Sequence, residues 1–361
     1  MSERYVEKSK NILICPLNWG LGHACRIIPI IEYCIETDKT IIIASNGSSF
    51  KLLKQRFPSL IQEYIPSPIL NYAKKQSIGF RFYCSFLLLF LNIYRERKYV
   101  KNIIKKYAID TIISDNRPGI FSRKVKSIYI THQVNVFNSA KKGYLSGILT
   151  KLHLRIIKKY TYCFVPDYPD NSIAGRLSEN TTGLELVYLG PLSRFSKMEN
   201  NIPDEITHYN IVCIVSGPEP QRTVFEELLI TKFKNTKHNV LILRGLPDNE
   251  NFKTQIGSID LLNHCNDSTL FSYLKLSEFI ICRSGYSSIM DLITIGKNAI
   301  LVPTPGQPEQ EYLGQYLQKY GFKYLEQKDI LDFDFNSINL PTLKAFAQNS
   351  MHLKKILDLY L

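Results

Sequence analysis

The chain alternates short apolar runs with stretches whose apolar residues recur at helical spacing. NILIC (11–15), TIIIAS (40–45), IDTIISD (109–115), SIYITHQ (127–133), TYCFVPD (161–167) and ELVYLGP (185–191) are rich in β-branched residues and read as strands. Between the first two, Ile27, Ile28, Ile30 and Ile31 fit a helix over 24–36, and a second helix is expected over 49–57. The stretch SRFSKMENNIPDEITHYN (193–210) is polar and aperiodic, as a linker would be. The pattern then restarts with YNIVCIVSG (209–217), NVLILRG (239–245), SEFIICRSG (277–285) and KNAILVPTP (297–305), with helices expected at 221–231, 268–276, 286–295 and 309–319. The tail LKAFAQNSMHLKKILDLYL reads as a helix. Strands alternating with helices predict an α/β fold of two Rossmann-like, doubly wound parallel-sheet domains facing a cleft. The expected boundaries are 1–194 for the first domain, 195–208 for the linker and 209–340 for the second domain, with a 341–361 helix packing back on the first domain. Ligands in such sheets sit outside the carboxyl ends of the strands, which makes the cleft the default site.

Composition narrows the class. The length of 361 residues, 45% of them hydrophobic, suits two cores. None of the eight cysteines forms a C-x-x-C pair, so buried free thiols are expected rather than disulfides or a zinc site. No metal motif stands in a cleft-like context. The N-terminus MSERYVEKSK is polar, without the pattern of a signal peptide, and no apolar run reaches the ~18 residues of a membrane span. A cytoplasmic location is expected.

The net charge of +13 is unevenly placed: residues 1–200 carry +16 and the remainder −3. Two segments of the basic half join apolar residues to lysines and arginines, FYCSFLLLFLNIYRERKYVKNIIKK (82–106) and AKKGYLSGILTKLHLRIIKKY (140–160). That pairing points to peripheral contact with an anionic membrane surface, through Phe86, Leu88 and Leu89 in one segment and Lys141, Lys142, Lys151 and Arg155 in the other. A nucleic-acid partner is excluded for want of a binding motif or a series of stacking aromatics.

Two stretches carry the candidate chemistry. PLNWGLGHACRIIPII (16–31) places Trp19, Gly20, Gly22 and His23 between a strand and a helix. A histidine at a helix N-terminus feels a positive dipole that favours its neutral, basic form. ICRSGYSSIMDLITIGKNAILVPTPGQPEQEYLGQYL (281–317) places Ser284, Gly285 and Tyr286 at another such junction, an anion site by its free N–H groups. Asp291 follows as an acceptor for a diol such as a ribose. Gln307, Glu309, Gln310 and Glu311 offer polar groups that suit sugar hydroxyls. Asp115 and His132 end neighbouring strands and should open into the same cleft.

The second stretch resembles the nucleotide-sugar region of GT-B glycosyltransferases of the family 28 type. That type includes the peptidoglycan N-acetylglucosaminyltransferase, which works on undecaprenyl-pyrophosphoryl acceptors. CRSG (282–285) matches the family closely, Asp291 falls at its ribose acid, and Gln310 and Glu311 fall at its donor-sugar pair. GLGH (20–23) is similar to the family's GGxxGH loop, THQVN (131–135) to its HEQN segment, and GPLSR (190–194) to a GNPVR-like segment. The last similarity implies that Arg194 reaches the diphosphate. The family's phosphate loop is replaced by SGPEPQRT (216–223), which keeps Ser216 and Gly217 but loses two donors to Pro218 and Pro220, with Arg222 expected to compensate.

The resemblance implies an inverting, metal-independent enzyme with no cofactor. It would move a sugar, an N-acetylhexosamine or hexose, from a UDP-sugar to a hydroxyl of a lipid-linked or cell-envelope glycan. His23 is the candidate base, or else a hydrogen-bond donor to the acceptor's pyrophosphate. Asp115 either orients it or is itself the base, and His132 is a third candidate or an acceptor contact. Trp19 stacks on an acceptor ring or covers the strand end. The alternatives are a hydrolysing nucleotide-sugar epimerase and a nucleotide-sugar-binding protein without catalysis.

Overall fold

A computed structural model describes residues 9–65, 78–135, 143–180, 183–203, 205–246, 250, 253–335, 340–344, 346 and 350–361. The first half runs β1 (Asn11–Pro16), α1 (Gly22–Glu36), β2 (Thr40–Ser45), α2 (Gly47–Arg56), β3 (Ile61–Tyr64), α3 (Ile78–Tyr107), β4 (Thr111–Asp115), β5 (Lys126–Ile130), α4 (Gly143–Ile157), β6 (Tyr162–Val165) and β7 (Leu186–Tyr188). The second half runs β8 (Ile211–Ile214), α5 (Gln221–Phe233), β9 (Val240–Leu243), β10 (Lys253–Ile256), β11 (Ile259–Leu262), α6 (Asp267–Leu276), β12 (Phe279–Cys282), α7 (Tyr286–Thr294), β13 (Ile300–Leu301), α8 (Pro308–Tyr316), β14 (Lys323–Tyr324) and α9 (Ser350–Tyr360).

Each half forms one seven-stranded sheet. The first has the order β3-β2-β1-β4-β5-β6-β7 and is parallel throughout. The second has the order β10-β11-β9-β8-β12-β13-β14, parallel except where β10 pairs antiparallel with β11. Buried strands such as Ile12–Cys15 and Ile41–Ala44 are apolar without alternation because helices cover both faces. The strand order reverses between β1 and β4 in the first sheet and between β8 and β12 in the second. Those are the positions where open α/β sheets leave a crevice at their carboxyl ends.

The edges differ from the sequence expectation. β3, β10, β11 and β14 were not anticipated, and KNAILVPTP yields a strand of two residues, Ile300–Leu301. The chain's end packs on the first domain, with Leu357 and Leu361 buried in its core. The Ser9 N–H and Lys39 Nζ donate to the Leu361 carbonyl, and Tyr33 Oη donates to Asp358. The seven described cysteines are free, and all but Cys265 are fully buried.

Of the two basic segments, the backbone of 78–90 is helical, but the side chains of Phe86, Leu88 and Leu89 lie outside what is described, as do Lys141 and Lys142 altogether. Beyond them, α3 exposes Leu91 and Tyr94 beside the exposed Arg95, Arg97 and Lys98. Among the described residues no helix is long and apolar enough to cross a membrane.

Candidate active site

The two sheets turn their strand ends toward each other, and helices α1 and α7 meet in the cleft. Ser287 Oγ donates to the Gly22 carbonyl at 2.9 Å, and a Cβ on Gly22 would stand 2.9 Å from that hydroxyl. The close approach is what requires glycine at position 22, whereas Gly20 faces open space at a φ of +78°. Neither helix has a side-chain cap at its N-terminus, so two sets of first-turn N–H groups converge there.

His23 lies in the first turn of α1. Its Nδ1–H donates to Asp115 Oδ2 at 3.0 Å, while Nε2 has no partner among the described residues. Asp115, wholly buried at the end of β4, also takes Arg26: Nε lies 3.0 and 2.9 Å from its two oxygens, and Nη2 donates to Oδ1. Burial alone would push this carboxyl up. Arg26 and then His23 outweigh it and hold Asp115 at about 2, so it is an acceptor at neutral pH. Burial, then the Arg26 guanidinium, lowers His23 below its ordinary 6.5, with Asp115 opposing. The imidazole is therefore neutral at pH 7, with its proton on the Nδ1 that faces the carboxylate and its lone pair on Nε2.

His132, just beyond β5, lies between the domains. Its Nδ1 accepts from Arg26 Nη1 at 3.1 Å and its Nε2–H donates to Glu309 at 2.8 Å. Gln133 donates to the other Glu309 oxygen. The His132 ring stacks on Tyr286, with centroids 4.1 Å apart and planes within 9°. Tyr286 is itself buried, and its hydroxyl donates to the Pro166 carbonyl at 2.7 Å. Tyr286 thus braces one domain on the other rather than lying open to a donor.

Several expected donor contacts are engaged elsewhere. Asp291 is buried on α7 and accepts from Ser193 Oγ at 2.6 Å and Arg194 Nε at 3.1 Å. Arg194 also pairs with Asp267 at 3.1 Å, and Asp267 with Arg56 at 3.0 Å. Asp291 and Arg194, expected at ribose and diphosphate, are joined in an ion-pair network between the domains. Arg222 is not a free cation at the loop 216–223: it pairs with Glu219 and with Glu226 and donates to Thr223. The side chains of Gln310 and Glu311 fold back to accept from the N–H groups of Thr304 and Gly306, holding the Pro-Gly turn that follows β13. Ser284 donates to the Gln310 carbonyl, which fixes the same loop against α7. Ser216 and Gly217 stand at the end of β8, Gly217 at a φ of +108°. Trp19 is 54% exposed on the loop leading to His23.

Residues beyond those anticipated complete the site. Arg26 joins it through the bonds above, whereas Glu309, expected at sugar hydroxyls, is held by His132 and Gln133. Arg283 is buried under the β12–α7 junction, over the Phe225 ring, and donates to the carbonyls of Pro303 and Gln221. Among the described residues it has no carboxylate partner and its Nε makes no hydrogen bond, and burial pushes its pKa down to about 10. Thr304 Oγ1 is likewise buried without a partner, 3.7 Å from where a Cβ on Gly217 would lie. Arg283, Thr304 and the uncapped end of α7 all lie just beyond the carboxyl ends of β12 and β13.

Comparison with known proteins agrees with this architecture. Residues 211–353 match the glycosyltransferase family 28 C-terminal domain. An uncharacterized glycosyltransferase of Methanosarcina mazei is 26% identical over 86% of this chain and 83% of its own length. The UDP-N-acetylglucosamine–N-acetylmuramyl-(pentapeptide) pyrophosphoryl-undecaprenol N-acetylglucosamine transferase of Haemophilus ducreyi is 23% identical over 67% of each chain. The crystal structure of Acinetobacter baumannii MurG superposes with a TM-score of 0.55 at 13% identity, covering 97% of this chain and 99% of that one. The fold is that of a two-domain GT-B protein, and the relatives mark the chain as a glycosyltransferase. Its second half matches the glycosyltransferase family 28 C-terminal domain, and the chain as a whole is similar to MurG in fold.

Proposed function

We propose that this glycosyltransferase is inverting and metal-independent. It takes a UDP-sugar, with an N-acetylhexosamine or hexose as the sugar, and a hydroxyl of a lipid-linked or cell-envelope glycan. The carrying observation is the His23–Asp115 pair, which leaves Nε2 as a free base in the cleft. In a single displacement, the acceptor hydroxyl gives its proton to His23 Nε2 and its oxygen attacks the anomeric carbon. The bond to the β-phosphate oxygen breaks on the opposite face, and UDP leaves with the electron pair. Asp115 stabilises the imidazolium that forms, which makes it an orienting carboxylate; at about 2 it is too weak a base to take the proton. The uncapped N-terminus of α7 and the buried charge of Arg283 favour the departing diphosphate without a metal ion. The Haemophilus relative, by its name, uses UDP-N-acetylglucosamine and a pyrophosphoryl-undecaprenol acceptor, which supports this choice of donor and acceptor class.

A thermal-shift screen with UDP-, GDP- and dTDP-sugars tests the donor. A ligand at 100 times its dissociation constant stabilises the native state by about 2.7 kcal/mol. A shift with UDP-sugars alone is expected, and none with any nucleotide sugar would refute the assignment.

The lipid-linked acceptor carries a second expectation, peripheral docking on an anionic cytoplasmic membrane face. Exposed Leu91 and Tyr94 lie beside Arg95, Arg97 and Lys98 in the half that carries +16. Each cation near such a surface contributes about 1 kcal/mol, screened as the Debye length falls from about 10 Å at 0.1 M salt to 3 Å at 1 M. Co-sedimentation with anionic vesicles should be strong at low salt and lost at high salt. No recovery with anionic vesicles at low salt would point to a soluble acceptor.

A further inference from the structure

We propose that Arg26 and His132 are positioning residues that tie the base in one domain to the donor loop of the other, so that His23 is aligned only while Glu309 closes the cleft. The inference rests on His23 being the base and adds what holds it in register. The chain is continuous: His23 Nδ1–H to Asp115, Asp115 to Arg26, Arg26 Nη1–H to His132 Nδ1, and His132 Nε2–H to Glu309. Its first four members come from α1, β4 and the loop after β5. The last comes from the first turn of α8, across the cleft.

The polarity of every link is set. A guanidinium only donates and a carboxylate only accepts, so His132 must accept at Nδ1 and donate at Nε2, and is neutral in this arrangement. With its lone pair occupied, His132 cannot be the base here. Arg26 has one arm on Asp115 and the other on His132. If Glu309 withdraws as the domains part, His132 loses the partner that fixes its tautomer, and Arg26 loses the acceptor that fixes its second arm. The charged and titratable groups facing His23 are Asp115, Arg26 and His132, with Glu309 behind them.

The test uses the full chain with ¹⁵N-labelled histidine, the His23 signals being assigned by their loss in His23→Gln. Wild-type His23 should show the Nδ1–H tautomer and titrate below its ordinary value. His132→Phe keeps a ring to stack on Tyr286 but removes both hydrogen bonds. Glu309→Ala, across the cleft and without a hydrogen bond to His23, removes the acceptor at the far end of the chain and guards against a folding defect in the first variant. Both are expected to give mixed His23 tautomers and a displaced titration. Arg26→Lys, which keeps the charge without the two-armed geometry, should mix the tautomers as well. His23 spectra that superimpose on wild type in His132→Phe and Glu309→Ala overturn the proposal. The base assignment fails separately: His23→Ala would then retain UDP release from UDP-N-acetylglucosamine, whatever the spectra show.

Discussion

Replacing His23 with alanine is expected to lower turnover by on the order of 10²–10⁴-fold while leaving UDP affinity within about a factor of two. The side chain belongs to the N-terminal domain, and the groups suited to the diphosphate (the α7 N-terminus, Arg283 and Thr304) belong to the other. Binding and proton transfer are therefore separable by mutation. The pH profile sharpens the expectation. Burial and Arg26 depress the His23 pKa, so the base stays deprotonated below pH 6.5, and the acid limb of kcat/KM should lie under that value. Asp115 opposes that depression, so Asp115→Asn should move the limb to still lower pH. The same change lowers kcat, because an amide no longer enforces the Nδ1–H tautomer. Two measurements decide the matter: UDP binding by calorimetry and single-turnover transfer across pH 5–9. If His23→Ala keeps more than about a tenth of wild-type turnover, proton abstraction lies with another group. If instead UDP affinity collapses with turnover intact at saturation, the histidine is a ligand contact and the chemistry has been misplaced.

How much of this arrangement was legible beforehand follows from what one-dimensional patterns encode. Interior strands such as TIIIAS declared themselves because a strand buried on both faces is a continuous β-branched run. Edge strands have no such run: IQEY carries no fully buried residue and KTQI is wholly exposed. His23 and Asp115 could be placed together because one opens the helix after β1 and the other ends β4, the two strands that flank the reversal in sheet order. Arg26 was hidden among Ile27, Ile28, Ile30 and Ile31, a charge in an apolar run. Its signal was the three-residue spacing from His23, which sets both on one helix face. Arg222 looked like a free phosphate ligand, yet Glu219 and Glu226 stand three residues before and four after it, where side chains on a helix meet. The Arg194–Asp291 pair had no local signature. Its members are 97 residues apart and meet only because the domains close on each other.

The largest stability effect should come from Glu96→Ala. Glu96 on α3 and Arg117 in the loop after β4 are 1% and 0% exposed and pair at 2.9 Å. The second Glu96 oxygen accepts the Gly119 N–H at 3.1 Å, and a Cβ on Gly119 would lie 2.5 Å from it, so glycine there is part of the same contact. The Arg117 carbonyl in turn accepts from Ser114 and Tyr160. Removing one member of a buried pair strands the other charge at a cost of about 3–5 kcal/mol. For a domain of this size that lowers Tm by roughly 6–20 °C. Replacing both members by apolar residues, Glu96→Leu with Arg117→Met, should recover much of the loss, because no charge is then left buried. Urea melts of the two single variants and the double variant measure the coupling directly, and near-additive losses would mean that the pair does not act as a unit. The functional consequence follows from position. Arg117 is two residues beyond Asp115, and α3 carries the exposed Leu91 and Tyr94. The pair therefore fastens the surface expected to meet the membrane to the strand end that orients the base. Under conditions where Glu96→Ala remains folded, its transfer rate should fall while UDP binding, proposed for the other domain, stays unchanged.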